Sequence, residues 1–437
     1  MKLSAAAAAL ALAVATGANA QDGAAPNAGA PAAISSAPNT DTAETQPVRA
    51  GPVESPTPVD ASLPPTETAR PAPSRLRPAV DTDEGGLWGM ADRAEQEARN
   101  SGQLESDPAL NSYLRDLACR VANDVCGDIR LYVMNRPYFN ASMAPNGYME
   151  VWSGLLLRSE DEAQLAFVLG HEIAHYRANH SLAMLRTIRS RAGAAAVFSI
   201  IAAGAGAGII GDIVYLGTIA SVFGFSRENE AEADFAGYDH AVAAGFDPSA
   251  GHRLWSNLLA ETRASDNPDT RRQETRASIF RTHPISADRI EALSERAAQA
   301  SSSETHRERY RAAIRPFLDE WLRADLRRRD YGQTSLLLDR LAAHGEDLGV
   351  VEYYRGEISR LRRGEGDRER ALQHYTNAIA HPDAPAAAWR ELAEHAARDG
   401  RNAEAAALLT TYLERAPEAG DRALVEARIA QLSGGGQ

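Results

Sequence analysis

Two histidines four residues apart enclose a glutamate in the stretch His171-Glu172-Ile173-Ala174-His175. On an α-helix, positions i and i+4 share one face, so both imidazoles can reach one metal ion. The carboxylate of Glu172 lies beside them, where it can take a proton from a water molecule that the metal polarises. The spacing therefore predicts one Zn²⁺ per chain, bound by His171 and His175, with Glu172 as the general base.

Two histidines leave a zinc site one protein ligand short. The metzincin pattern requires glycine at position 178 and histidine at position 181, where this sequence has Ala178 and Ser181. A metzincin is therefore excluded, and the missing ligand must come from elsewhere in the chain.

An acidic stretch at residues 226–234 offers carboxylates on a second helix. Glu230 and Asp234 are four residues apart and share a helix face. We expect Glu230 to bind the metal, and Asp234 to accept the N–H of a ligating imidazole and so fix its tautomer. Glu228 and Glu232, on the opposite side of this helix, are the competing candidates.

These residues together resemble a known family, the HtpX-like and CAAX-prenyl-protease-like zinc metallopeptidases. The resemblance extends over about Leu87 to Ala297. Besides the two zinc-helix motifs, it is carried by Asn140-Ala141 with Gly147, Val151 and Gly154-Leu155-Leu156, and by Thr282-His283-Pro284 with Arg289 and Ile290. It implies a zincin-like α+β catalytic domain that hydrolyses peptide bonds.

The resemblance also implies that His283 lies over the active site. There it would either stabilise the oxyanion of the reaction or occupy the open position of the zinc. The alternative is a structural histidine at a turn before a proline. We interpret His180, His240 and His252 as surface or core residues.

The N-terminal residues predict export. Lys2, the apolar run from Ser4 to Gly17 and the small residues at 18–20 form a secretory signal peptide over residues 1–20, which predicts a periplasmic protein. Residues 21–85 are rich in Ala, Pro, Thr and Ser and predict a disordered linker. In such an oxidising compartment Cys119 and Cys126 can be bridged if the helix that carries Cys119 stops near Asn123-Asp124. Two free buried thiols are the alternative.

Hydrophobic periodicity predicts a mainly α-helical fold with a small β-sheet in a catalytic domain over residues 86–300. We expect helices over 91–99 and 108–121, strands over 129–134 and 148–152, and a long helix from about Glu160. Ser159 and Glu162 fit a capping box for that helix. The strand over 148–152 is expected to offer an edge to an extended substrate.

The apolar, glycine-rich segment Ala192 to Phe225 is interpreted as a helical hairpin that does not span a membrane. A transmembrane span and a flexible flap in peripheral contact with a membrane are the alternatives.

Residues 301–437 predict an all-α domain of tetratricopeptide-like repeats, with a generic helical bundle as the alternative. The residues that fit the repeat are Trp389, Leu392, Ala393, Ala405 and Pro417, with a looser copy at Gly356, Ala371, Tyr375, Ala378 and Pro382. Stacked helix pairs form a groove for partners, for which the outer-membrane assembly machinery is a candidate.

Composition limits the function classes. With Lys+Arg 46 and Asp+Glu 59, the net charge of −13 argues against a nucleic-acid partner. A mean hydropathy of −0.36 excludes a protein with many membrane spans. We therefore expect a periplasmic zinc endopeptidase that hydrolyses unfolded or misassembled envelope proteins, outer-membrane β-barrel proteins being suggested by the resemblance. The alternative is a chaperone or assembly scaffold that acts through its helical repeats and carries a latent zinc site.

Overall fold

A computed structural model of the chain describes residues 74–187, 189–190, 225–272, 283, 285–301 and 303–434. They fall within one unit, Glu67–Gln437. The predicted signal peptide, the linker up to residue 73 and the apolar segment up to residue 224 lie outside the described residues. Among the helices that the structure describes, none is long and apolar enough to cross a membrane.

A three-stranded sheet follows the first two helices of the predicted catalytic region, residues 86–300. Its strands are β1 (Arg130–Met134), β2 (Ala141–Met143) and β3 (Tyr148–Trp152), in the order β1-β3-β2. β3 pairs parallel to β1 and antiparallel to β2. The two predicted strands are confirmed, but β3 is the central strand, so the expectation that it offers a free edge is wrong. The sequence did not reveal β2, which lies in a turn-rich stretch.

The helices before the metal motif are α1 (Asp83–Asn100), α2 (Pro108–Ala122), α3 (Ser153–Arg158) and α4 (Glu162–Arg177). The predicted capping box of α4 is wrong, because Ser159 belongs to the end of α3, where its hydroxyl donates to the carbonyl of Leu155. Asp161 caps α4 instead, accepting the backbone N–H of Gln164 at 2.9 Å.

A disulfide joins Cys119 to Cys126, as one of the two sequence interpretations predicts. α2 stops at Ala122, and Asn123 follows with φ of 50° at the start of a 3-10 turn over Asn123–Asp128. This reversal brings the two Cα atoms to 4.6 Å, within the range that a disulfide requires.

The catalytic region continues with α5 (Arg227–Ala243), α6 (Ala250–Ala264), α7 (Pro268–Arg272) and α8 (Ala287–Ala297). α4 and α5 pack closely together. At their crossing a Cβ on Gly237 would lie 2.8 Å from the backbone nitrogen of His171, so only glycine permits this approach of the two backbones.

The C-terminal region is helical throughout its described residues, as predicted. After α9 (Arg307–Ile314) and a 3-10 turn, its helices are α10 (Leu318–Leu326), α11 (Tyr331–Ala342), α12 (Leu348–Arg362), α13 (Asp367–Ile379), α14 (Ala387–Arg398), α15 (Asn402–Arg415) and α16 (Arg422–Gly434). From α12 onward each helix packs against the next one along the chain. The assignment of these helices to tetratricopeptide units stays a prediction.

Candidate metal centre

α4 carries both histidines of the motif on its buried face. His171 and His175 are 1% and 3% exposed, and their Nε2 atoms lie 3.1 Å apart. The helical spacing therefore directs two imidazole nitrogens to one point, as the sequence predicts.

α5 brings Glu230 to the same point. Its Oε1 lies 3.6 Å from Nε2 of His175, and its Oε2 lies 3.7 Å from Nε2 of His171. Of the competing acids, Glu228 is exposed, and Glu232 contacts His180 at 3.4 Å rather than this cluster. The close crossing of α4 and α5 thus places the predicted carboxylate ligand beside both histidines.

His283 completes a four-residue cluster. Its Nδ1 lies 2.9 Å from Oε1 of Glu230 and 3.2 Å from Nε2 of His171. Its ring is fully buried. The geometry therefore places a nitrogen of His283 among the candidate ligands rather than at a distant structural turn.

The cluster has the chemistry and dimensions of a zinc site. One ligand atom from each of His171, His175, Glu230 and His283 can be chosen so that all four lie within 4.8 Å of one another. Tetrahedral zinc with bonds of about 2.0–2.2 Å separates its ligand atoms by roughly 3.3–3.6 Å. Contacts in this cluster, such as 3.1 Å between the Nε2 atoms of His171 and His175 and 3.6 Å between Nε2 of His175 and Oε1 of Glu230, are close to these separations.

Glu172 lies beside the cluster, between α4 and β2. Its Oε1 is buried without a hydrogen-bond partner among the described residues and lies 3.6 Å from Nε2 of His283. The backbone N–H of Met143 donates to its carboxylate. Burial raises the pKa of Glu172 above its ordinary value, although the charges of His283 and His171 oppose this shift. A carboxylate with a raised pKa and one free oxygen suits a general base.

Asp234 holds the outer side of His171. Its Oδ1 lies 3.2 Å from Nδ1 of His171, which is the contact that the sequence predicts for a ligating imidazole. Burial acts to raise the pKa of Asp234, but hydrogen bonds from Arg289 and His171 lower it to about 2. Asp234 therefore stays ionised and keeps the proton of His171 on Nδ1, so that Nε2 remains free to bind metal.

Arg289 joins the two acids of α5, a role that the sequence did not reveal. Its Nη1 lies 2.8 Å from Oε2 of Glu230, and its Nε lies 2.6 Å from Oδ2 of Asp234. Trp255 on α6 also donates to Asp234 at 3.2 Å. Arg289 follows His283 by six residues, but nothing in its local pattern indicates its partners.

The structure places His180, for which the sequence predicts a surface or core position, against a candidate ligand. It is 5% exposed, and its Nδ1 lies 2.8 Å from Nδ1 of His175. Phe225 stacks on the other side of His175 with ring centroids 4.1 Å apart. His240 and His252 are half-buried and do not belong to the cluster. The only sequence signal for His180 was its place five residues after His175.

Comparison with known proteins identifies this region. Residues 105–297 match the model of peptidase family M48. The beta-barrel assembly-enhancing protease of Escherichia coli is 29% identical over 289 residues, which cover 59% of this chain and 56% of the relative. The mitochondrial metalloendopeptidase OMA1 of Schizosaccharomyces pombe is 33% identical over 167 residues, 38% of this chain and 45% of the relative.

The buried cluster of His171, His175, Glu230 and His283 lies within residues 105–297, the region that is similar to the metallopeptidases of family M48. Within that class the chain is similar to the beta-barrel assembly-enhancing proteases. The chain spans about half the length of the curated relatives it matches.

Proposed function

We propose that this protein is a periplasmic zinc endopeptidase that hydrolyses peptide bonds of unfolded or misassembled envelope proteins. The observation that carries the proposal is the buried cluster of His171, His175, Glu230 and His283 with the free carboxylate oxygen of Glu172 beside it. The name of the Escherichia coli relative supports outer-membrane β-barrel proteins as one substrate class.

In this proposal, the metal is bound by His171, His175 and Glu230, and Glu172 is the general base. Zinc, when bound, supplies a Lewis acid for the scissile carbonyl and for a water molecule. Glu172 accepts the proton of that water and delivers it to the leaving amine. The position of its carboxylate beside the cluster, 3.6 Å from Nε2 of His283, suits both transfers.

In the proposed site, a nitrogen of His283 would fill the position that a catalytic zinc site leaves open for water or substrate, because it lies beside His171 and Glu230. We infer that the structure represents a resting site in which His283 is the fourth ligand. His283 must then swing away before a substrate binds. Stabilisation of the oxyanion is the other role for this residue.

The substrate is expected to bind along β2. The outer edge of β1 is covered by residues 103–105. The backbone N–H of Glu105 donates to the carbonyl of Val133, and the N–H of Asn135 donates to the carbonyl of Gln103. β2 pairs only with β3 among the described residues, and its Met143 contacts Glu172. An extended peptide that adds to β2 would therefore pass the general base, and only an unfolded chain can add in this way.

Two observations support the periplasm as the location. Residues 1–20 have the pattern of a signal peptide, and the disulfide between Cys119 and Cys126 is typical of an oxidising compartment. We propose that the C-terminal helical region docks partners, with the outer-membrane assembly machinery as the candidate suggested by the name of the relatives.

Digestion of an unfolded protein tests the proposal. We expect the purified protein to cleave casein, and Glu172→Gln to lower the rate at least about 100-fold because proton transfer is lost. Zinc should remain bound at one ion per chain in both, since Glu172 is not a ligand. The measurements are the rate of casein cleavage and the zinc content of each protein.

Full activity of Glu172→Gln would overturn the assignment of the general base. Zinc in both proteins with cleavage by neither would favour the chaperone or scaffold function. His283→Ala distinguishes the two roles of this residue. Faster casein cleavage than by the wild type indicates that His283 is a blocking ligand, and slower cleavage indicates that it stabilises the oxyanion.

A further inference from the structure

The chain reverses direction immediately after the metal-binding histidines. α4 ends at Arg177, and Asn179 adopts a left-handed conformation with φ of 54°, which asparagine tolerates better than most residues. Its backbone N–H donates to the carbonyl of Tyr176 at 3.2 Å. Residues 180–187 then form a helical turn that starts with His180. This reversal brings the ring of His180 back onto the outer side of His175.

When a metal is bound, the protons on the rings of His175 and His180 can be assigned in only one way that is consistent with the contact between these rings. Nε2 of His175 faces the other ligands, 3.1 Å from Nε2 of His171, so a metal requires it to be unprotonated. The proton of His175 then lies on Nδ1. Because Nδ1 of His180 is 2.8 Å away, it must be the acceptor, and the proton of His180 lies on Nε2. That nitrogen lies 3.4 Å from Oε2 of Glu232.

We propose that His180, backed by Glu232, is a positioning residue that fixes the tautomer and ring orientation of His175 for metal binding. The inference rests on the zinc site of the proposed function. It adds the contact of His180 with His175 to the contact of Asp234 with His171, so that each ligating histidine has a group behind it. Groups behind a ligating imidazole in this way commonly set metal affinity as well as ligand orientation.

The two supports differ in charge and burial. His171 is held by a carboxylate that is 2% exposed and fixed by Arg289. His175 is held by the imidazole of His180, whose carboxylate partner, Glu232, has a side chain that is 64% exposed. Substitution of Glu232 behind His175 therefore disturbs the core less than substitution of Asp234 behind His171, so the contact of His180 with His175 can be tested by experiment.

The zinc dissociation constant of the full-length protein tests the proposal by competition with a chelator. We expect His180→Leu to weaken zinc binding 10–100-fold, because the acceptor for His175 is lost. His180→Asn should recover most of the affinity, since Oδ1 of asparagine lies two bonds from Cβ, as Nδ1 of histidine does. Glu232→Ala should weaken binding by less than His180→Leu.

Glu228→Ala is the matched control, because Glu228 is an exposed acid on the same helix that contacts Ser226 rather than His180. It should bind zinc as the wild type does. The absorption spectrum of the cobalt-substituted protein provides a second readout, and it should change in His180→Leu and return toward the wild-type spectrum in His180→Asn.

Equal zinc affinity of the wild type and His180→Leu would overturn the proposal, as would equal weakening by His180→Leu and His180→Asn, which indicates packing alone. If His180→Leu does not fold, the zinc affinities of Glu232→Ala and His180→Asn provide the test. An unchanged zinc affinity in Glu232→Ala together with a loss of zinc affinity in His180→Asn would contradict the proposal. Failure of the proposed function has different signatures, since the wild type itself would then bind no zinc, or would bind zinc without cleaving casein.

Discussion

The metal centre and the C-terminal helical region differ in how the chain assembles them. In the C-terminal region from α12 onward, each helix packs on the next, and several ion pairs join residues only three or four positions apart, such as Arg401 with Glu404. The metal centre instead gathers side chains from α4, α5, α8 and the segment at His283. The ion pairs of Arg289 in the metal centre are buried, whereas the pair of Arg401 with Glu404 is exposed.

This difference predicts where substitutions act. Loss of an exposed local ion pair costs little, because water and neighbouring groups replace the partner. Loss of one partner from a buried pair leaves an uncompensated charge in the interior. A change in the metal centre should therefore affect both stability and metal binding, while a change in the C-terminal helices should affect stability alone.

The largest effect is expected at Arg289. Arg289→Leu leaves Glu230 and Asp234 without their buried cation and should lower the free energy of unfolding by about 3–5 kcal/mol. Arg296→Leu is the matched control on the same helix, since Arg296 pairs with Asp239 at the surface; it should cost about 1 kcal/mol or less. Denaturant unfolding of both variants measures the difference, and equal losses would contradict the distinction between the two pairs.

A smaller effect is expected at Gly356 in the C-terminal region. A Cβ at this position would lie 2.5 Å from the ring of Tyr375, so Gly356→Ala should lower the free energy of unfolding by about 1–3 kcal/mol. Zinc affinity should change less than twofold, because the contact joins α12 to α13, outside the metal centre.

Gly86→Ala serves as the control for this prediction. Apart from the adjacent backbone of α1, no atom of the described residues lies within 4 Å of a Cβ at Gly86. That variant should not be destabilised. A marked loss of zinc affinity in Gly356→Ala would show that the two regions are coupled more strongly than their packing indicates.

The same contrast explains what could be predicted from the sequence. The strand pattern over 148–152 and the spacings within the motif at 171–175 and the acidic helix at 230–234 are local, and the structure places these residues as the spacing predicts. One prediction from local pattern is wrong. Ser159 has the spacing of an N-cap for α4, but it is the C-cap of α3.

Contacts between distant segments could not be read from the sequence. Arg289 looks like any arginine of an amphipathic helix, and its two carboxylate partners become apparent only when α8 packs against α5. β2 has three residues, which are too few to show the two-residue alternation of a strand in the sequence. It becomes apparent only through its pairing with β3. His180 acquires its neighbour through a single left-handed residue, Asn179.

The central claim is that α5 supplies the third protein ligand of a zinc site built on α4. Its most direct test is the zinc affinity of Glu230→Ala beside Glu228→Ala, an exposed acid two residues away on the same helix. We predict that Glu230→Ala weakens zinc binding by more than about 100-fold, because loss of a ligand should exceed the 10–100-fold cost of losing a group behind one. Glu228→Ala should bind as the wild type does. Wild-type affinity in Glu230→Ala would contradict the account.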